Sequence, residues 1–236
     1  MKGLLVRVGA DQSAGGGHWN GPVDSRDGRF VYVAIPESHA SREDLNRPYA
    51  ALSTSLAAMG HPLPAHLHPR GMHLDPDFDH LTYGDQGERA KQLQAKLGAG
   101  DLLVFYAGLR DTQVPRALVY ALIGLFVVDE IVRAVDVPAK RRHENAHTRR
   151  TLAADASDVI VRARPGVSGR LERCLPIGDF RDRAYRVWPH LQQAWGGLGV
   201  RDGYLQRSAR LPEFLDAPRF LQWFHAQGVS LIQSNN

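Results

Sequence analysis

The order of apolar and polar positions along the chain predicts a mixture of strands and helices. Short apolar stretches that end at Gly, Pro or polar positions are typical of strands. A helical spacing of apolar residues runs from Leu45 to Met59, and Gly60 supplies a stop. Strands are predicted at residues 4–8, 30–35, 101–106, 118–128 and 159–163, and further helices at 86–97 and 218–227.

The predicted elements do not alternate regularly between strand and helix, which favours an α+β fold over a doubly wound sheet. We therefore predict a single α+β domain over residues 1–236, with a mixed β-sheet core and flanking helices. The aromatic-rich segment 180–236 is expected to form the helical C-terminal part.

Two neighbouring apolar strands carry the most distinctive pattern. A Gly-Asp turn opens a strand that ends in Phe105 and Tyr106, and the next apolar run closes on Asp129 and Glu130. This pattern resembles PUA-like and EVE-like β-barrels, which hold an unpaired or modified base. The resemblance implies a barrel-like core that includes residues 100–163 and makes nucleic-acid bases the first ligand class to test.

Composition restricts the environment of the protein. A chain of 236 residues can bury a sizeable core, and its single cysteine, Cys174, excludes an internal disulfide. The N-terminal apolar stretch is short, and the longest apolar run, residues 117–128, is too short to span a bilayer. We expect a cytoplasmic protein without a membrane segment.

Positive charge is concentrated in one segment of a chain whose net charge is +4 and whose isoelectric point is about 9.4. A basic face is the electrostatic footprint of a phosphate backbone, and the guanidinium fork matches phosphate oxygens. An ordinary solvated surface is the alternative interpretation. The candidates for phosphate contact in this segment are Arg141, Arg142, His147, Arg149 and Arg150.

A glycine-rich loop follows the first predicted strand and begins near Asp11. Glycines let a backbone approach a ligand, and successive N–H groups can form an anion nest, so Ser13, Gly15 and Gly16 are further candidates for phosphate contact. Asp11 is a candidate catalytic carboxylate, and the alternative is an Asx-turn in a flexible loop. Because the loop lacks both the Walker and the dinucleotide fingerprints, no nucleotide cofactor is expected.

Glu37 follows the second predicted strand. If the first two strands pair, Asp11 and Glu37 leave the sheet at the same edge. Two carboxylates there could act as general base and electrostatic stabiliser in the cleavage of an N-glycosidic bond. The alternative for Glu37 is a solvated acid that caps the following helix.

Several residues further along the chain could hold a base. An amide can bridge to a base edge, an aromatic ring can stack on a base, and an inward acid can bond an exocyclic amine. Aromatic residues at strand ends are otherwise core, and polar residues before a helix are otherwise caps. The candidates for base binding are Tyr83, Gln86, Phe105, Tyr106, Arg110 and Glu130.

A histidine-rich stretch with His66, His68, His73 and Asp75 invites a metal-binding interpretation. Alternate residues of a strand share a face, and a further ligand nearby would complete a site. Against this, the stretch contains several prolines, and His-rich loops without cysteine often bind nothing. We expect neither a metal nor another cofactor.

Taken together, these motifs resemble the nucleotide modification associated domain 3 family. The similarity spans most of the chain, although Gln12 departs from the more usual Asp-Ser pairing and Glu-Asn-Ala interrupts the histidine element at residues 143–147. The resemblance implies a role near modified DNA bases in phage, mobile-element or defence settings. The matching stretches contain Asp11, Ser13, Gly15, Gly16, Ile35-Pro36-Glu37, His73 to Pro76, Tyr83 to Gly87, Gly100-Asp101, Gly124 and Glu130.

The resulting functional hypothesis is a DNA glycosylase-type enzyme with modified DNA, such as phage DNA, as its partner. Such an enzyme flips the base out of the duplex, which requires a base pocket, a basic groove and an aimed carboxylate. The alternatives are a reader that binds the modified base without chemistry and a transferase that modifies or exchanges it. The sequence leaves open the base, the strandedness of the substrate and the oligomeric state.

Overall fold

The computed structural model describes residues 1–42, 44–205 and 210–236, which fold around one curled β-sheet. The strands are β1 (Gly3–Arg7), β2 (Pro22–Val23), β3 (Ile35–Pro36), β4 (Met72–His73), β5 (Thr82–Asp85), β6 (Leu102–Asp111), β7 (Leu118–Arg133), β8 (Val159–Ala163), β9 (Gly169–Arg181), β10 (Ala184–Val187), β11 (Tyr204–Leu205) and β12 (Leu231–Ile232). The α-helices are α1 (Ser53–Ala58), α2 (Gly87–Lys96), α3 (Ala146–Arg149), α4 (Pro189–Ala194) and α5 (Ala217–Ala226).

The antiparallel pair β6 and β7 forms the centre of the sheet. On one side β1 joins β6 in parallel, and on the other β9, β10 and β11 continue from β7. The end of β7 pairs instead with β8, which pairs with β5. The sheet thereby curls into a half-barrel with flanking helices, so the predicted α+β class is confirmed. The predicted PUA-like barrel is not confirmed, and the sheet forms a half-barrel instead.

Side chains that alternate along the central strands fill two cores on opposite faces of the sheet. Phe105 packs edge-on against Phe78 and Phe126 in one core and is fully buried. Tyr106 lies in the other core with Trp195, where only 1% of it is exposed. Adjacent strand residues point in opposite directions, so the two rings lie on opposite faces of the sheet. The sequence-based prediction that both rings bind a base is therefore wrong.

Several helices and strands have the predicted positions, and others are shorter than predicted. The strand at 159–163 is β8, and the helices at 86–97 and 218–227 are α2 and α5. The helix predicted from Leu45 to Met59 is reduced to a 3₁₀ turn, Tyr49–Leu52, followed by α1. Pro48, just before that turn, has extended backbone and bridges to Gly71, which is incompatible with an earlier helical start.

The C-terminal segment is more mixed than predicted. It contains α4 and α5, but β10, β11 and β12 also lie in it. The long strand β9, just before this segment, was not predicted, because its polar and charged residues follow no clear alternation and Pro176 lies inside it. None of the helices in the described ranges has the length and apolar character needed to cross a bilayer.

Candidate active site

A polar cleft of about 210 Å³ lies between the end of β1, the pair β3 and β4, the strand β5 and the helix α3. A single water occupies about 30 Å³ in the liquid, so the cleft has room for a larger ligand group. His73, Asp75 and His147 lie together in this lining, and their side chains are 12%, 6% and 5% exposed.

Asp75 is held by donors on one side of its carboxylate. Its Oδ1 accepts from the backbone N–H of Gly84 at 2.6 Å and from the side-chain amide of Asn145 at 3.2 Å. Its Oδ2 lies 3.9 Å from Nε2 of His73 and 3.4 Å from Nε2 of His147. The fold thus fixes the direction of Asp75 and leaves Oδ2 facing the two imidazoles.

Each of these histidines is oriented from behind by a second carboxylate. The Nδ1 of His73 lies 2.8 Å from Oε2 of Glu37, and the Nδ1 of His147 lies 2.6 Å from Oδ1 of Asp158. An ionised carboxylate only accepts hydrogen bonds, so both Nδ1 atoms donate. The Nε2 atoms are therefore the ones that both histidines direct toward Asp75.

The electrostatic balance of the cleft follows from these contacts. Burial alone would lower the pKa of His147, but its hydrogen bonds with Asp158 and Asp75 raise that pKa to about 9. Burial would raise the pKa of Glu37, but the contact with His73 lowers it to about 2. Burial would also raise the pKa of Asp158, but its contacts with His147 and Arg150 lower that pKa to about 2. At neutral pH the carboxylates behind both imidazoles are ionised.

Arg150 connects the inner cluster to the rim of the cleft. It is 5% exposed, and its Nη2 donates to Asp158 at 2.5 Å and to Oε1 of Gln86 at 3.0 Å. Because arginine only donates, this contact fixes the amide of Gln86 with its oxygen inward. The Nε2 of the exposed Gln86 is then directed away from Arg150 as a donor at the rim.

Tyr83 forms part of the cleft wall and is 3% exposed. Its hydroxyl donates to Asp85 at 2.5 Å and accepts from Arg89 at 2.8 Å. Burial raises the pKa of this phenol well above its usual value. The residue therefore lines the cleft as a neutral side chain whose hydroxyl is already hydrogen-bonded to its neighbours.

The glycine-rich loop adjoins the cleft but turns its carboxylate inward. The Oδ1 of Asp11 accepts from the backbone N–H of Ser13 at 2.9 Å and from its hydroxyl, so the loop has the Asx-turn geometry of the alternative interpretation. The N–H of Gly16 donates to Ser13 rather than facing outward, and Gly15 is exposed. The Oδ2 of Asp11 lies 3.3 Å from Arg7, which lines the cleft.

The structure brings the Asp11 loop and the Glu37 segment together, although the strands before them do not pair with each other. The N–H of Ala10 donates to the carbonyl of Val33 at 2.7 Å, while β1 pairs with β6 and β3 pairs with β4. Asp11 contacts Arg7, and Glu37 contacts His73. Arg7 and His73 line the cleft, so the two carboxylates lie behind its wall rather than in it.

Other residues predicted to bind a base lie elsewhere. Arg110 lines a different pocket together with Asp111 and His61. Glu130 is exposed at the end of β7 and forms an ion pair with Arg162 at 2.6 Å. With Phe105 and Tyr106 in the cores, the structure gathers only Tyr83 and Gln86 of that predicted set at the cleft.

The predicted phosphate-binding segment divides into a buried part and a surface part. Arg149 is 2% exposed and pairs with buried Asp77, so it lies too deep for phosphate contact. His147 and Arg150 belong to the cleft. Arg141 is exposed and Arg142 half-buried, and these two remain near the surface.

The structure also separates the histidines that the sequence grouped. Nε2 of His66 contacts the carbonyl of Gly17, and Nε2 of His68 contacts that of Leu63. Among the residues described, the group able to hold a metal ion consists of His73, Asp75 and His147.

From the sequence, His147 was a candidate for contact with phosphate or with the base but not for a metal, and Asp158 was overlooked. The spacing of His73 and Asp75 was a usable signal, because residues two apart in extended chain share a face. No sequence signal connects them to Asp158 across the fold.

Gly84 provides the space that the ring of His147 requires. A Cβ at Gly84 would lie 2.5 Å from Cδ2 of His147 and 2.6 Å from Oδ1 of Asn145. We expect Gly84→Ala to lower the free energy of unfolding by about 1–3 kcal/mol through overpacking. Urea denaturation measures this change. Gly98→Ala is the control because a Cβ there meets no atom within 4 Å; equal midpoints for the two variants would contradict the assigned packing.

Fold and site together define a mixed α+β protein with a cleft lined by histidines and carboxylates. The chain belongs to the nucleotide modification associated domain 3 family, whose model matches residues 2–210. This membership associates the protein with modified nucleotides. No curated protein and no solved structure shows a significant match to it.

Proposed function

We propose that the protein is a DNA glycosylase-type hydrolase that accepts a modified base of DNA in the cleft around Asp75 and cleaves its N-glycosidic bond. The observation that carries the proposal is the fixed orientation of Asp75, with Oδ1 held by Gly84 and Asn145 and Oδ2 directed to the inner cleft. Family membership supports a modified nucleotide as the ligand. Phage DNA in a defence role is the substrate source that we propose on the same ground.

Hydrolysis of an N-glycosidic bond needs negative charge beside the sugar and an oriented water, because the sugar resembles an oxocarbenium ion in the transition state. In our proposal Asp75 supplies that negative charge. It also accepts a proton from the water while the water oxygen bonds to C1′. The C1′–N bond breaks, and its electron pair leaves on the base nitrogen, which takes up a proton from solvent. Asp75 afterwards gives the proton of the water back to solvent. The products are a free base and an abasic site.

Asp11 and Glu37 are positioning residues in this proposal. Asp11 lies 3.3 Å from Arg7, whose guanidinium lines the cleft. Glu37 fixes the ring of His73 through a 2.8 Å contact. Both carboxylates thus influence the reacting groups through a neighbour.

We propose that the rim amide of Gln86 recognises the base. Its carbonyl is engaged by Arg150, so its Nε2 is the group that a ligand meets. An acceptor on a base edge, such as a carbonyl oxygen or a ring nitrogen, matches this donor. The wall at Tyr83 then limits the size of the bound group.

The surface arginines next to α3 are proposed to contact the DNA backbone. Replacing both Arg141 and Arg142 by Ala should weaken binding to every DNA sequence and make the slope of log affinity against log salt shallower by about 1–2, since each phosphate contact contributes about 0.9. Fluorescence anisotropy at several salt concentrations measures this slope. Arg201→Ala, also at an exposed position, is the control, and an unchanged slope in the double variant would remove Arg141 and Arg142 from the interface.

The proposed activity is tested with DNA from genomes that carry different base modifications. After incubation with the protein, alkali breaks the strand at abasic sites, and mass spectrometry of the supernatant identifies the released base. We expect breaks in at least one modified DNA and none in unmodified DNA. Selective binding without breaks would favour the reader, and a base exchanged rather than released would favour the transferase.

A further inference from the structure

Atoms that can donate an electron pair converge at the centre of the cleft. His73, Asp75 and His147 each offer one ligand atom within 4.8 Å of those of the other two. Oδ2 of Asp75 faces the Nε2 atoms of both histidines. Two of the separations are 3.4 Å and 3.9 Å. Ligands of a tetrahedral metal ion with bonds of 2.0–2.1 Å lie about 3.4 Å apart, so the observed separations are close to those of a metal site.

The surroundings of the ligand atoms have the arrangement that metal sites require. Metal-binding histidines usually donate their other ring N–H to a carboxylate, which fixes the tautomer and the ring direction. Glu37 does this for His73 at 2.8 Å, and Asp158 does it for His147 at 2.6 Å. Asp75, the third ligand, is likewise hydrogen-bonded through its other oxygen. Each of the three candidate ligands is thus hydrogen-bonded through the atom that does not face the cleft, which a cluster of surface histidines does not require.

Each Nδ1 donates outward to a carboxylate, so Nε2 is the ring atom of each histidine that is directed into the cleft. A metal ion binds such a nitrogen in its deprotonated form, as is general for histidine ligands.

We propose that His73, Asp75 and His147 bind one divalent first-row transition ion of the zinc or iron(II) type, with its remaining positions open to the cleft. Imidazole nitrogens favour such ions over Mg²⁺ and Ca²⁺, which select oxygen ligands. Three protein ligands with open positions are typical of catalytic rather than structural sites. The bound ion would activate a water beside the ligand. With the ion bound, Oδ2 of Asp75 would be a ligand, and the ion would lower the pKa of the water in place of general-base catalysis by Asp75. The inference differs from the sequence-based expectation of no metal, and metal binding is tested without reference to glycosidic cleavage.

The test is metal binding by the full chain in the absence of DNA. Protein freed of metal with a chelator is titrated with Zn²⁺ by calorimetry and with Co²⁺ by visible absorption, which reports nitrogen and oxygen coordination. We expect one ion per chain, with Mg²⁺ unable to compete. His147→Gln and Asp75→Asn should abolish stoichiometric binding, whereas the His66→Asn/His68→Asn double variant should bind as the wild type does.

Asp158→Asn and Glu37→Gln leave all three ligands in place, so they separate metal binding from loss of the fold. Each should weaken affinity about 10–100-fold, the usual effect of losing the carboxylate behind a histidine ligand. Circular dichroism checks that each variant is folded. Absence of one-to-one binding in the wild type, or unchanged binding in folded His147→Gln, would overturn the inference.

The two proposals fail separately. A protein that binds one metal ion but releases no base from any modified DNA retains the metal site and loses the proposed hydrolysis. A protein that releases the base but binds no transition metal retains the hydrolysis and loses the metal site.

Discussion

Replacing Asp75 by Asn is expected to lower the rate of base release by about 10²- to 10⁴-fold, the usual contribution of a positioned acid–base group. The N–H groups of Gly84 and Asn145 donate to Oδ1, so the oxygen of the new side chain keeps that position. Its NH₂ group then replaces Oδ2, where it neither accepts a proton nor supplies negative charge. Single-turnover release of the base from the DNA identified by alkali treatment measures the rate.

Binding of that DNA should change little in the Asp75 variant, because the proposed contacts of Gln86 and the surface arginines remain. Asp129→Asn is a matched control, since Asp129 is an exposed acid in the second half of β7, outside the cleft. Asp11→Asn should have a smaller effect on the rate than Asp75→Asn, because it acts through Arg7. A rate within threefold of the wild type for Asp75→Asn would remove Asp75 from the reaction.

Replacing Arg149 by Met should lower the free energy of unfolding by about 3–5 kcal/mol, the usual result of breaking a buried ion pair from one side. Asp77, its partner, is 1% exposed and also accepts a hydrogen bond from Asn235 at 3.0 Å. Burial would raise the pKa of Asp77, but its contacts with His80 and Arg149 lower it to about 2. The variant leaves this carboxylate charged and without its arginine, and urea denaturation measures the loss.

The Arg149→Met/Asp77→Asn double variant tests the physical reason for that loss. It removes both charges and retains an amide that can bond Asn235, so it should recover much of the stability lost in the single variant. If the single variant unfolds within 1 kcal/mol of the wild type, or if the double variant recovers nothing, the buried pair is not the cause.

Much of the sheet was predictable because its central strands are long and apolar. The predicted strand at 118–128 lies within β7, and the one at 101–106 begins one residue before β6 and otherwise lies within it. The extension of β7 to Arg133 was not predictable, because its exposed acidic positions, Asp129 and Glu130, resemble a strand end. That extension pairs with β8, a long-range contact that local periodicity does not encode.

The site was less predictable than the sheet, because it depends on contacts between distant segments. Asp11 follows a strand and lies near glycines, a position that resembles a catalytic one. In the structure, however, its Oδ1 accepts hydrogen bonds from the backbone N–H and the hydroxyl of Ser13. His147 lies in α3 and Asp158 just before β8, and local periodicity does not encode the contact between their side chains. Charge pattern grouped Arg149 with surface arginines, and only its burial beside Asp77 separates it from them.

The location of the base is the most direct test of the account. A crystal structure of Asp75→Asn bound to duplex DNA with the modified base would show where that base lies. We predict an extrahelical base in the cleft, with an acceptor on its edge within hydrogen-bond distance of Gln86 and its C1′ beside residue 75. A base that stays stacked in the duplex, or that enters the pocket around Arg110, would contradict the account.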